Sequence, residues 1–304
     1  MLLKNGYKKV LTGSLFFISL FIISISCDST EPPPPPDEKT TLEYDWEIDT
    51  LFNPHGYGVV PWSMWGSSPT DVWAVGFNLA GQGEMFHYDG NFWKRVTPDL
   101  GFNYELLSIY GIGTEVVYAV GSEIIIDTTL HTKSLIIKYN GTSWQTENII
   151  KGSGLTFLHG TDANNIWACG IEGALYKKNG GSWQKMPFDN KLKLGPIWVA
   201  PNGEVFMMSE YYDYPITADT AMFYFSKYNT SAWNLLDSCR LVNIDGIPTG
   251  YKFGEKGMVG ISENQIYSAG SGLFKFDGSI WQVEAWDDYD YKDLNPMKKE
   301  FSLQ

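Results

Sequence analysis

The chain has 304 residues, 43% of them hydrophobic and 15% aromatic, so it is too apolar for a disordered polymer and long enough to bury a large core. Its 22 basic and 35 acidic side chains give a net charge of −13, which excludes a surface built to hold nucleic acid or anionic lipid. His55, His87, His131 and His159 lack metal-ligand spacing, and no nucleophile elbow, P-loop or dinucleotide fingerprint occurs, so no cofactor and no metal are expected.

At the start, Lys4, Lys8 and Lys9 precede an apolar run over residues 10–25, which closes on Ser24-Ile25-Ser26-Cys27. A basic start, a short apolar run and small residues before a cut site describe a secretory signal peptide over residues 1–26. The run is short for a bilayer span, which needs about 20 residues. Ser24-Ile25-Ser26-Cys27 resembles the lipobox of bacterial lipoproteins, with Ser24 where that family usually carries leucine. The resemblance implies that Cys27 is acylated, becomes the new N-terminus and anchors the protein to the membrane. An ordinary cleaved signal that leaves Cys27 free, and an uncleaved signal anchor, stay open as alternatives. Cleavage removes three lysines and no acidic residue, moving the net charge to −16.

Residues 27–41 follow as an acidic stalk with five consecutive prolines at 32–36, a composition that adopts the extended polyproline II helix. An acidic stretch directly after the anchoring cysteine resembles the signal some Gram-negative bacteria use to export lipoproteins to the outer face of the outer membrane. The expected location is therefore the bacterial outer membrane, facing the surface or the periplasm.

Residues 42–284 are expected to form one domain, because a phrase recurs through them. It reads Thr70-Asp71-Val72-Trp73-Ala74-Val75-Gly76 and then Tyr88-Asp89-Gly90-Asn91-Phe92-Trp93. Further copies include Val117-Tyr118-Ala119-Val120-Gly121, Ile166-Trp167-Ala168-Cys169-Gly170, a worn Val205-Phe206-Met207-Met208, and Ile266-Tyr267-Ser268-Ala269-Gly270. The tryptophans closing the five copies are Trp93, Trp144, Trp183, Trp233 and Trp281, spaced by 51, 39, 50 and 48 residues. Such periods with four short strands per unit predict an all-β fold, a β-propeller of four-stranded antiparallel blades. In the first copy the strands a to d are expected near 62–66, 72–76, 84–88 and 92–96. Asp-Gly and Asn-Gly supply the positive φ of tight c–d hairpins. The small Ala-x-Gly ending of strand b is expected to let neighbouring blades approach, and the closing tryptophans to cover the edges between blades. Tyr44-Asp45-Trp46-Glu47-Ile48 reads as an isolated strand d that could lock onto the last blade. Five blades, six with one degenerate, and a truncated ring all remain open. Residues 285–304 read as an acidic tail.

The two phrases together resemble repeats of bacterial propellers related to the sialidase BNR type and to photosystem II assembly factors. Only Asp-Gly or Asn-Gly survives of the longer sialidase Asp-box. The resemblance implies the fold and spans enzymes, assembly factors and surface lipoproteins alike.

Comparing the copies locates a working face. The a–b and c–d turns stay short, and the long insertions at 77–83, 122–134, 210–221 and 237–256 all fall in b–c and d–a connections, which share one side of the disc. Binding residues concentrate on such loops, and Tyr211, Tyr212, Asp213 and Tyr214 are the candidate contacts, weighed evenly against a solvated loop of self-packed tyrosines. Cys169 replaces the valine of the phrase and reads as a small buried hydrophobe, with a bridge to Cys239 open. A sialidase-type clamp needs three arginines, and only Arg95 and Arg240 exist. The expected function is a non-catalytic binding or scaffold module whose partner is an envelope protein or a surface glycan. The alternative is a carbohydrate-active enzyme with an unrecognised carboxylate pair.

Overall fold

The computed structural model describes residues 2–5, 46–124, 133–152, 154–211, 220–229, 231–244, 247–249, 254, 256–270 and 272–286. Cys27, the proline stalk, Tyr212, Asp213, Tyr214 and the tail beyond 286 lie outside them. The chain divides into two compact units, Met1–Leu51 and Phe52–Gln304. In the first, β1 (Leu2–Asn5) pairs antiparallel with β2 (Trp46–Asp49). The strand expected around Trp46 therefore exists, and its partner is β1 rather than the last blade.

The second unit is a five-bladed propeller. Blade 1 comprises β3 (Val59–Ser68), β4 (Asp71–Asn78), β5 (Gly83–Tyr88) and β6 (Trp93–Arg95), close to the expected strand positions. Blade 2 comprises β7 (Tyr104–Gly111), β8 (Val117–Glu123), β9 (Lys133–Tyr139) and β10 (Trp144–Lys151). Blade 3 holds β11 (Leu155–Gly160), β12 (Ile166–Gly170), β13 (Leu175–Asn179) and β14 (Ser182–Lys185). Blade 4 holds β15 (Leu192–Val199), β16 (Val205–Tyr211), β17 (Thr220–Tyr228), β18 (Trp233–Ile244) and a short fifth strand, β19 (Ile247–Thr249). Blade 5 holds β20 (Gly257–Ser262), β21 (Gln265–Ala269), β22 (Gly272–Phe276) and β23 (Trp281–Trp286). Part of the 237–256 stretch expected as a loop is thus strand. β18 runs on to Ile244 alongside β17, reaching Thr220↔Val242, and β19 folds back on it.

The repeated turn chemistry acts locally. In the c–d turns Asp89 Oδ1 accepts from the amides of Asn91 and Phe92, at 3.0 and 3.2 Å. Asn140, Asn229 and Asp277 do the same for the second and third residues after them. Gly90, Gly141 and Gly278 have φ of 92°, 88° and 99°, the left-handed region that glycine enters without steric cost. Lys94 Nζ, donating at 2.6 Å, and the two turn amides hold Asp89 well below the usual carboxylate range, at about 2.

The core lies between blades. At each of the four seams between consecutive blades, a trailing side-chain set of one blade meets a leading set of the next. Trp73, Val75 and Met85 of blade 1 pack on Leu106, Ile109, Ala119 and Ile137 of blade 2. Equivalent clusters join blades 2 and 3, 3 and 4, and 4 and 5. The closing tryptophan of one blade meets the strand-b aromatic of the blade before it, edge to face. Trp73 and Trp144 stand 5.3 Å apart, Tyr118 and Trp183 6.2 Å, and Trp167 and Trp233 6.2 Å. These tryptophans are packing residues, as expected from their recurrence.

The glycine that ends strand b has a different cause from the one expected. A Cβ on Gly76, Gly121 or Gly170 would lie about 2 Å from the carbonyl oxygen of Val60, Glu105 or Gly154, in the same blade rather than the neighbouring one. Strand a bulges there, between Pro61 and Ser63 and between Leu106 and Ser108, and turns its backbone into the space a side chain would need.

Two polar features sit in the seams. Lys178, buried in blade 3, donates to Glu147 Oε1 of blade 2 and lies over the rings of Tyr118 and Trp183. His159 faces Tyr110 across the blade 2–3 seam at 4.3 Å between ring centroids, and its Nδ1 accepts from the Val199 amide of blade 4 at 3.0 Å. Burial pulls its pKa down to about 4, so it is a neutral acceptor. Cys169 is a free thiol buried in the blade 3–4 cluster, and Cys239 packs in the blade 4–5 cluster. Apolar surroundings push the Cys169 thiol far up and leave it inert.

Candidate functional site

In a four-stranded meander the b–c and d–a connections emerge on the same side of the disc, and between blades 1 and 2 that side forms an open cleft of about 470 Å³. Three segments line it. His55 comes from the stretch before β3, Gln82 and Gly83 from the β4–β5 turn, and Arg95 to Tyr104 from the end of β6 and the connection into β7.

The cleft is built on one buried carboxylate. Glu84 is fully buried at the start of β5, next to the cleft-lining Gly83. Arg95 Nε donates to its Oε2 at 2.6 Å, and Thr97 Oγ1 lies 3.2 Å from the same oxygen. The side-chain amides of Asn53 and Asn78 donate to Oε1, the latter at 2.9 Å. Buried charges persist only when paired and hydrogen-bonded in this way. Asn78 Oδ1 in turn accepts from the amides of Ala80 and Gln82 at 2.9 and 3.1 Å, which folds the β4–β5 turn. Asn53 Oδ1 accepts from the His55 amide at 2.8 Å and so holds the first wall.

The far wall is set by Tyr104. Its hydroxyl donates to the Pro98 carbonyl at 2.5 Å, and its ring meets Phe102 edge to face at 6.1 Å. Burial pushes the Tyr104 hydroxyl far up, which keeps it a donor. Asp99 Oδ1 caps the Gly101 amide at 2.9 Å and leaves a carboxylate in the wall. The charges nearly cancel, because Glu84 neutralises Arg95 and Asp99 adds one negative charge. Glu84 has both oxygens committed, so Asp99 is the carboxylate the described lining offers to a ligand. The side chains that remain, Gln82, Asn103, Asp99, the outer edge of Arg95 and Phe102, offer hydrogen-bond donors and acceptors beside an aromatic surface.

Tyr211 ends β16 in blade 4, half-buried, and is not among the residues that line this cleft. Tyr212, Asp213, Tyr214 and the anchor Cys27 fall outside the described residues. The candidate contacts read from the sequence do not include the residues that line this cleft. Two sequence features mark it: a glutamate in a mostly apolar strand c, and an arginine in a chain that has two. Among the described residues no group of three or more His, Cys, Asp or Glu side chains could hold a metal ion. No described helix is long and apolar enough to cross a membrane.

No family model matches the chain, and no curated protein matches it. Among solved structures it is similar to YCF48 bound to a D1 peptide, at 16% identity over 79% of this chain and 72% of that one, with a TM-score of 0.49. It is also similar to the GH93 α-L-arabinofuranosidase of Fusarium graminearum with arabinobiose, at 16% identity, covering 77% of this chain and 83% of that one, with a TM-score of 0.48. A third likeness is to the Aleuria aurantia lectin with Fucα1-6GlcNAc, at 12% identity, covering 77% and 80%, with a TM-score of 0.46. These likenesses are of fold, and they carry no argument about ligand or chemistry.

Proposed function

We propose that the protein is a non-catalytic binding module, carried on a lipidated Cys27 at the bacterial outer membrane, which takes a glycan segment in the cleft between blades 1 and 2. The supporting observation is the cleft itself. Arg95 is fixed and neutralised by a saturated Glu84, amide and carboxylate groups stand around it, and Phe102 supplies an aromatic wall. Such a surface suits an uncharged polyhydroxy ligand, whose hydroxyls pair with planar amides while its C–H face lies on a ring. A lipid anchor at Cys27 followed by a proline-rich stretch is a composition suited to spacing a domain from a membrane.

Isothermal titration of the full chain, purified in detergent, against neutral oligosaccharides cut from envelope polysaccharide tests the reading. Saturable binding that is lost in Gln82→Ala and Asn103→Ala, with thermal stability unchanged, is the expected result. A folded protein that binds none of them refutes the glycan reading. New reducing ends whose release is abolished by Asp99→Asn would replace it with a hydrolase.

A further inference from the structure

Four of the five blades bury the same trailing positions. Opposite the strand-b residues Val75, Val120, Cys169 and Met208, strand c places Met85, Ile136, Leu175 and Phe225, all fully buried against the following blade. Blade 5 places Leu273 at that position, opposite Ala269, and Leu273 is 42% exposed. The strand-a trailing position is filled by Trp65, Tyr110, His159 and Trp198 in blades 1 to 4. In blade 5 it holds Val259, which is 59% exposed.

The leading side shows the mirror image. Opposite Ala119, Ala168 and Met207 stand Ile109, Leu158 and Ile197, all buried, whereas blade 1 places Met64 there, opposite Ala74, at 50% exposure. The Trp65 and Trp198 rings reach over Gly111 and Gly260 of the following blades, where a Cβ would lie 2.4 Å from them, while the atoms nearest Gly66, like those nearest Gly160, belong to its own blade. Farther out on blade 1, Ala74 and Phe86 are buried, so the surface on offer there is strand a.

We propose that the exposed trailing face of blade 5 and strand a of blade 1 are the two halves of a head-to-tail contact between copies of this chain. Every internal seam joins a trailing face to a leading one, so the surface that complements blade 5 is a leading face, and blade 1 presents one with Trp62 and Met64 exposed. The charge permits it. A chain at −13 repels its copies, yet β3 and β20 contain no Asp, Glu, Lys or Arg, as is also true of β11 in the filled seams. A contact between unlike faces leaves one half free at each end of an open chain, so copies add until a ring closes or a filament grows.

Sedimentation velocity of the full chain in detergent, over a concentration series, tests this with Met64→Lys and Val259→Lys. Both side chains are exposed, so the folded monomer tolerates either change. Each variant alone has one blocked half in every possible contact, and its self-association is at least about tenfold weaker than wild type. Mixed in equal amounts, the two retain one intact pair of halves and form a 1:1 dimer that grows no further. A wild type that stays monomeric to about 100 µM overturns the proposal, as do variants that associate like wild type. An intramolecular disulfide in monomeric Met64→Cys/Val259→Cys overturns it in favour of a ring that closes on itself.

Discussion

Replacing Gly121 with alanine isolates the reason for the glycine in the repeated phrase. The added Cβ would stand 1.9 Å from the Glu105 carbonyl oxygen, 2.8 Å from its carbon and 3.0 Å from Leu106 Cα. All three are backbone atoms of β7 at its bulge, so no rotamer change relieves the overlap. β7 would have to move off β8, carrying Leu106 and Ile109 out of the blade 1–2 cluster. Overpacking of this kind costs about 3 kcal/mol. In a domain of this size that lowers Tm by roughly 6–12 °C. Gly257→Ala is the control, because a Cβ there meets nothing within 4 Å, and it should leave stability within about 0.5 kcal/mol. Thermal unfolding followed by tryptophan fluorescence reads both variants. A Gly121→Ala protein melting within about 2 °C of the Gly257→Ala protein would refute the bulge as the cause.

Two further outcomes follow from the seams. Lys178→Met strands the Glu147 carboxylate, whose second oxygen is already buried without a hydrogen-bond partner, and should cost about 3–5 kcal/mol in urea unfolding. Adding Glu147→Leu should recover most of that loss, and a double variant as unstable as the single one would contradict the account. For His159, the folded pKa of about 4 lies below the unfolded value of 6.5, so the unfolded chain binds a proton first as pH falls. Its contribution is therefore present above about pH 6.5 and drains away toward pH 4, a loss of about 2 kcal/mol by pH 5. His159→Gln, whose amide oxygen can still accept from Val199, should flatten the dependence between pH 7 and 5, and an unchanged slope would assign it to other groups.

What the sequence determined about this protein is what neighbouring residues decide among themselves. Asp89-Gly90 and Asn140-Gly141 specify their hairpins because the acceptor, the two amides and the positive φ lie within four residues. Repeating that unit with a buried strand b before it was enough to make the propeller and its strand positions legible. The long insertions fall on the side of the disc where the cleft between blades 1 and 2 opens. The contents of that cleft were hidden, because Asn53, Asn78, Glu84 and Arg95 meet through hydrogen bonds between residues up to 31 positions apart. Tertiary structure likewise converted part of 237–256 from loop to strand, by supplying β17 as a partner along its length. It reassigned the strand-b glycine from the neighbouring blade to its own, since strand pairing decides where a bulged carbonyl points. It also left Leu273 and Val259 in solvent. A repeat encodes the same two faces in every copy, but whether the last of them is covered depends on what stands beside it in space.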